Sequence, residues 1–412
     1  MPVDFNRIPP RVSVPPPPQP SKPVWAALLL MVMCAGAALT ITLWPPGRPT
    51  NTPWFWICVA GYPLLVWAFL LFSRLGYGHA RRNEAIATNR VSEQAEQSCH
   101  AVASRPLAIL GNAWCFSSND AENLLESVRD GSVQVTARPS GAVTDDDVVA
   151  RWIEIPDDPF HPAAALDEHT RHRAVCEWLL HRLIGNLTKQ LNALPARTSL
   201  HVELHLRSKL EFALVRTRLQ ELLVKKAPAL SVKTVENERG IPLFSTDAWL
   251  DGRDVGVAHL VVAIELRNAI SQVLSDGVAE VGVALLLGHP RLAQAAMPPA
   301  LRLHRPARGG LDTIANMVGL ATRWGQTTTE QLRTVWVHGA SSEQASAIKK
   351  SALLPEQTKW MALETTVGDC SSSGAWLAAA LAAANAESTG DPQLVLSHHD
   401  GELVALVCRQ QI

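Results

Sequence analysis

Hydrophobic positions fall into two regimes along the chain. Between Val24 and Phe72 they are nearly continuous. "VWAALLLMVMCAGAALTITLW" (Val24–Trp44) carries no charge, and after the turn "PPGRPTNTP" a second uncharged run follows, "WFWICVAGYPLLVWAFLLF" (Trp54–Phe72). At about 1.5 Å rise per residue, a helix of either length covers the roughly 30 Å hydrocarbon core of a bilayer. Two membrane-spanning helices over residues 24–72 are predicted. Pro63 predicts a kink in the second, which a membrane helix tolerates. Trp25, Trp44, Trp54 and Trp56 stand at the ends of the runs, where amphipathic rings favour the headgroup zone. A secretory leader fits poorly: the run is too long, no cleavage site follows, and a second run comes at once.

The flanks set an orientation. Residues 1–23 are proline-rich, with Pro15 to Pro18 consecutive, and are expected to be disordered or in polyproline II. Arg7, Arg11 and Lys22 precede the first run, Arg48 alone sits in the turn, and Arg74, Arg81, Arg82 and Arg90 follow the second. The positive-inside rule then places both termini in the cytoplasm, and a bacterial inner membrane is the expected location. Residues 73–100, rich in Ala, Glu and Gln, read as a juxtamembrane helix.

After residue 100 short apolar runs alternate with amphipathic ones. Strands are predicted at 106–110, 199–206, 259–266, 278–287, 333–339, 392–397 and 402–408. Helices are predicted at 167–194, 210–225, 311–324, 342–351 and 373–384. This alternation defines an α/β layered domain over 101–412, in halves of about 101–290 and 291–412. "HHDG" between the last two strands predicts a hairpin. Residues 139–163, with "TDDDVV", read as irregular loop, and the basic "ALRLHRPARGG" (Ala300–Gly310) as a solvated one.

Composition narrows the function. The 37 basic and 38 acidic residues balance, so no basic face is available for nucleic acid. Seven scattered cysteines form no CxxC, which argues against a zinc ribbon or a disulfide framework. His201 and His205 in "HVELH" lie about 13 Å apart on a strand, too far for one ion. No phosphate loop, dinucleotide fingerprint or esterase elbow is present. Neither metal nor cofactor is expected.

Four blocks carry a family resemblance. "RPLAILGNAWCFSSNDAENLLESVRDG" (Arg105–Gly131) is similar to the first strand, loop and helix of β-ketoacyl synthases, condensing enzymes of the thiolase-like fold. "SDGVAEVGVALLLG" (Ser275–Gly288) resembles the glycine-rich strand closing that family's first half. "VWVHGASSEQASAI" (Val335–Ile348) resembles the strand ending in His-Gly-Thr-Gly-Thr. "ETTVGDCSSSGAWLAAALAAA" (Glu364–Ala384) resembles the Lys-Ser-Asn-Ile-Gly-His turn and its small-residue helix. The likeness is good at the start and in the last third, and poor over about 132–257.

The resemblance implies a thiolase-like domain, but the chemistry departs from it. The family needs a cysteine thiolate and two histidines that stabilise an oxyanion. His338 matches the first histidine. Asp369 stands in place of the second, and a carboxylate repels the charge that site must stabilise. Glu364 replaces the lysine; Ala340 and Ser342 replace threonines. No cysteine precedes His338 at the family distance. Cys176 falls inside a predicted helix, and Cys370 occupies no catalytic position of the family. The residual candidates are therefore His338, Asp369 and Cys370. The expected protein is a membrane-anchored, catalytically inactive thiolase-like adaptor, dimeric or docked to protein partners. Its layout is similar to that of accessory components of type VI secretion, although no motif carries that likeness. The alternative is a divergent acyl-transferring or acyl-binding enzyme acting on lipid-linked acyl chains.

Overall fold

The computed structural model describes all residues except 1–4, 144, 157–159, 163, 236–240, 253, 293–299, 400 and 412. The chain divides into two compact units, residues 4–99 and residues 100–412.

The first unit is a helical hairpin. α1 spans Lys22–Leu43, and α2 spans Tyr62–Ala103 behind a helical turn, Pro53–Trp56, and a π-helical turn, Ile57–Gly61. Lys22–Leu43 and Pro53–Ala103 are each long and apolar enough to cross a membrane. Pro63 disturbs the helix by widening it. Proline has no N–H to give, and in the π-turn the Tyr62 N–H reaches back five residues to the Ile57 carbonyl. In that register the Cys58 carbonyl would have been the partner of Pro63. It accepts instead from the Thr40 hydroxyl of α1 at 3.2 Å, so a side chain of the neighbouring helix satisfies the freed group. Gly36 makes this approach possible, because a Cβ there would overlap the Pro63 ring.

The proline-rich tail, expected to be disordered or in polyproline II, is an extended strap along α2. Asn89 both donates to the Val12 carbonyl and accepts from the Val12 N–H, each at 2.8 Å. Ser92 donates to the Pro9 carbonyl at 2.6 Å, and Arg11 pairs with Glu96 at 2.8 Å. Pro18 packs where Gly78 leaves room. The strap runs antiparallel to the helix over small residues, which lets its backbone come close.

The second unit is built on one mixed sheet. In chain order its elements are β1 (Leu107–Cys115), β2 (Ala137–Pro139), β3 (Asp147–Val149), α3 (Ala165–Ala193), β4 (Ser199–Arg207), α4 (Phe212–Lys226), β5 (Ser231–Val235), α5 (Thr246–Leu250), β6 (Val257–Glu265) and β7 (Val281–Gly288). There follow β8 (Ala300–Leu303), β9 (Ala307–Gly309), α6 (Ile314–Trp324), β10 (Thr334–His338), α7 (Ser342–Ser351), β11 (Lys359–Ala362), α8 (Ser373–Thr389), β12 (Gln393–His399) and β13 (Glu402–Gln411). The order across the sheet is β11-β10-β12-β13-β8-β1-β7-β6-β4-β5, with β9 on β13. β2 and β3 form a separate ribbon in the segment read as loop; Thr144 of "TDDDVV" lies outside the described residues.

Two halves are visible in that order. In β1, β4, β5, β6 and β7 the sequence across the sheet is third, second, fourth, fifth, first, and in β8, β10, β11, β12 and β13 it is the same. The senses match as well. The third, second and fourth strands are parallel, and the fifth is antiparallel to both the fourth and the first. β8 joins the halves by pairing with both β1 and β13. This corrects the reading of Ala300–Gly310 as a solvated loop. Two of its three arginines are buried: Arg302 donates to the neutral Gln411 side chain at 2.8 Å, and Arg305 holds Asp247 and Asp251, while Arg308 is exposed and meets Glu402 at 3.4 Å. Charge in a sequence signals solvent unless partners neutralise it.

The sheet has a core on each face. β7 is buried along its whole length, as a strand covered on both sides must be. Val281, Val283, Leu285 and Leu287 join the cluster around α8, while Ala284 and Leu286 join the cluster around α3. α8 is buried on all sides from Ser373 to Ala383, which is how a helix apolar all round is accommodated. The final hairpin pairs His399 with Glu402 around Gly401, whose φ of +79° suits glycine; Asp400 lies outside the described residues.

Candidate functional site

His338 ends β10, a strand buried at every position. Gly339 follows with φ +76°, where a side chain would strike the His398 carbonyl. The imidazole is 3 % exposed, with Nδ1 3.4 Å from the Ser397 hydroxyl. Its ring lies on Gly374 in the first turn of α8, where any Cβ would overlap it. Burial pushes its pKa down to about 4, against the opposing pull of Asp369. The ring is therefore neutral at physiological pH.

The turn before α8 is held by backbone rather than by chemistry. Asp369 pairs with the approach to β7 in both directions, its N–H donating to the Gly277 carbonyl at 2.6 Å and its carbonyl accepting from Ala279 at 2.9 Å. Its carboxylate accepts the Ser371 N–H at 2.8 Å, which makes it a turn cap. Glu364 accepts from the Gly339 N–H, and burial pushes its carboxyl up to about 7 despite that bond. Cys370 is fully buried, its thiol donating to the Gly368 carbonyl at 3.5 Å. Burial, then the carboxylates of Glu265, Asp369 and Glu364, push its pKa well above the usual thiol range. Reactive thiols lie in electropositive, accessible places; Cys370 lies in the reverse.

Beside the turn stands a charged group that sequence reasoning missed. Glu265 ends β6 with no exposed surface, 3.3 Å from both Arg207 and Arg267. Burial, opposed by Arg267, holds its carboxyl at about 7. Both arginines donate to the Ser371 hydroxyl, at 2.9 and 2.7 Å. The usable signal was three charged residues, Arg207 and Glu265 at the ends of β4 and β6 and Arg267 just beyond β6.

A cavity of about 560 Å³ opens next to this cluster. His338, Ser372 and Ala375 form one wall, Leu243 and Phe244 another, and Arg308 with Glu402 part of the rim. Neither Asp369 nor Cys370 lines it. Of the three candidates, then, all share one neighbourhood, and only His338 lines this cavity. Among the described residues no group of three ligating side chains could hold a metal.

The other wall shows what the first half lacks. In the second half the crossover from third to fourth strand contains α8, 17 residues long. In the first half the same crossover runs from β5 to β6 and its described helix is α5, only 5 residues. Trp249 of α5 stacks on Trp376 of α8 at 6.1 Å, and the Trp376 indole donates to the Ile241 carbonyl at 2.7 Å. No cysteine occurs from residue 177 to 369. Cys176 is buried in α3, where burial raises its pKa to about 12.

No family model and no curated protein matches the chain. Solved structures do. The ishigamide ketosynthase/chain length factor is 16% identical with a TM-score of 0.47, covering 74% of this chain and 99% of its own. Cerulenin-bound OleA of Xanthomonas campestris is 13% identical with a TM-score of 0.44, covering 74% and 97%. ChlB3, an acyltransferase by its description, is 12% identical with a TM-score of 0.44, covering 74% and 98%. These neighbours are thiolase-like, and the likeness concerns fold alone. The repeated strand order within the chain stands without them.

Proposed function

We propose that the chain is a membrane-anchored thiolase-like adaptor that does not condense acyl groups, with both termini on the cytoplasmic side of a bacterial inner membrane. One observation carries the reading: the single thiol at the mouth of α8 is sealed among carboxylates, and in the first-half crossover, which has no cysteine, the α-helix among the described residues is five residues long. Covalent catalysis by a thiol needs a thiolate within reach of substrate. Two further features agree with it. His338 is neutral and packed on Gly374, and Asp369 caps its own turn. The role left to such a domain is to bind partners or a second copy of itself, and an accessory place in type VI secretion is one setting for that role.

The test is acyl uptake. The full chain in detergent is incubated with a radiolabelled acyl thioester and its cysteines are mapped. No thioester on Cys115, Cys176, Cys370 or Cys408 is expected; a labelled Cys370 would overturn the reading. A pull-down from the native host then identifies the partner class. The cavity beside His338 favours a second reading, an acyl-binding protein, because Ile241, Leu243, Phe244, Ala375 and Val404 offer apolar surface to a chain while Asp247, Arg308, His399 and Glu402 offer a polar end. Retention of a free fatty acid without covalent label would select it.

A further inference from the structure

Charge is balanced over the whole chain, 37 basic against 38 acidic residues, but not over one edge of the domain. From residue 185 to 235, which spans the end of α3, β4, α4 and β5, the sequence has nine lysines and arginines, Arg207 among them held by Glu265, against three carboxylates. Of those carboxylates Glu203 is buried, and Glu221 is already paired with Arg218 at 2.9 Å. Lys189, Arg197, Lys225 and Lys233 are exposed, and Lys226 is half-buried beside them. None of the five is in an ion pair among the described residues.

The fold gathers several of them. The Asn192 side chain at the end of α3 donates to the Lys226 carbonyl at 2.9 Å, so α3 and α4 finish side by side. The Arg197 N–H donates to the Ala229 carbonyl at 3.1 Å, which fixes the intervening loop to the same corner. Arg197 holds φ +70°, a conformation that side chains other than glycine seldom adopt. Such backbone persists where surroundings enforce it, and it is common at binding surfaces. α4 adds apolar surface to the charge: Leu214, 43% exposed, lies on the stripe that carries the Arg218–Glu221 pair and Lys225, and Val224, 59% exposed, stands on the adjoining face. Cations beside exposed aliphatic side chains on a surface helix fit a lipid headgroup layer, with phosphates for the one and the acyl boundary for the other.

We infer that the edge formed by α4, β5 and the 195–198 loop docks on an anionic phospholipid surface. The inference rests on the membrane-anchored reading, since tethering to a bilayer raises the effective concentration of that surface. Several cations are needed because each phosphate contact is weak.

The experiment is lysine footprinting on the full chain in proteoliposomes. Acetylation of Lys225, Lys226 and Lys233 is compared between phosphatidylcholine alone and phosphatidylcholine mixed with phosphatidylglycerol, with Lys349 and Lys350 of α7 as internal controls. In the anionic bilayer the three lysines should react about fivefold more slowly, the effect of one phosphate-engaged cation. The protection should vanish at about 1 M salt, where the screening length falls to about 3 Å. K225E/K226E should abolish protection at Lys233 while leaving the controls unchanged. Equal reactivity in the two bilayers overturns the inference, as does protection that persists in the neutral one or at high salt. Flotation after carbonate extraction separates the two readings. A chain that floats and shows no protection is anchored without docking, whereas a chain that fails to float overturns the anchor and, with it, the docking.

Discussion

The two halves of the domain share strand order and strand sense, yet fill the space beside the sheet differently. In the second half, 17 residues form α8, buried on all sides from Ser373 to Ala383. In the first half the corresponding crossover offers α5, one Trp and a cavity. A repeated strand order can thus carry unequal crossovers, because the sheet and α8 supply the burial. The difference teaches that the order of the strands does not dictate what covers them.

The comparison can be broken most directly at its tryptophans. Trp376 is fully buried and Trp249 only partly so. Trp376→Ala should cost about 3–5 kcal/mol and Trp249→Ala clearly less, read as urea midpoints of the full chain in detergent. Equal losses would show that α5 bears as much of the packing as α8. Next in size is Gly374→Val, which drives a side chain into the His338 ring and should cost about 1–3 kcal/mol. Combining it with His338→Ala should recover most of that loss, and a strictly additive double variant would deny the contact.

The smallest expected effect is a pH dependence shared by the two halves. Glu265 at the end of β6 and Glu364 before α8 both titrate near 7 in the folded chain, against an ordinary value of 4.5, because both are buried. Between those values the folded chain holds protons that the unfolded chain has released. The stability from each group is complete below about 4.5 and is lost as pH rises through about 7. Glu364→Gln and Glu265→Gln should each flatten the fall in stability between pH 5 and 8, seen in thermal midpoints. A fall that stays as steep in both variants would place the titration elsewhere.

Much of this was legible in the sequence. The apolar runs of the hairpin, the strands β4, β6, β7, β10, β12 and β13, and the long helices follow from period and composition alone. So does His338 at a strand end. What escaped reading did so for physical reasons. β5 and β11 are short edge strands, the half-polar "SVKTV" and the four-residue "KWMA", too short for an alternation to stand out. β8 was hidden by its short length and by Arg302, a buried arginine bonded to Gln411. That Cys370 is sealed was not legible either, because its burial and the carboxylates around it come from residues distant in sequence, Glu265 among them. Glu265 was invisible as a site residue because its importance comes from partners on other strands.

The proline-rich strap has a consequence for the anchor. Residues 9–18 precede α1, and the residues they touch, Gly78 to Glu96, follow the second apolar run. A segment on one side of a bilayer cannot hydrogen-bond to a helix on the other. If the hairpin is inserted, the Asn89–Val12 clasp therefore demands an even number of crossings, with the two ends of the hairpin on the same side. The clasp counts crossings by geometry, where the flanking arginines count them by charge, and a cross-link between positions 12 and 89 in intact cells would read that parity directly.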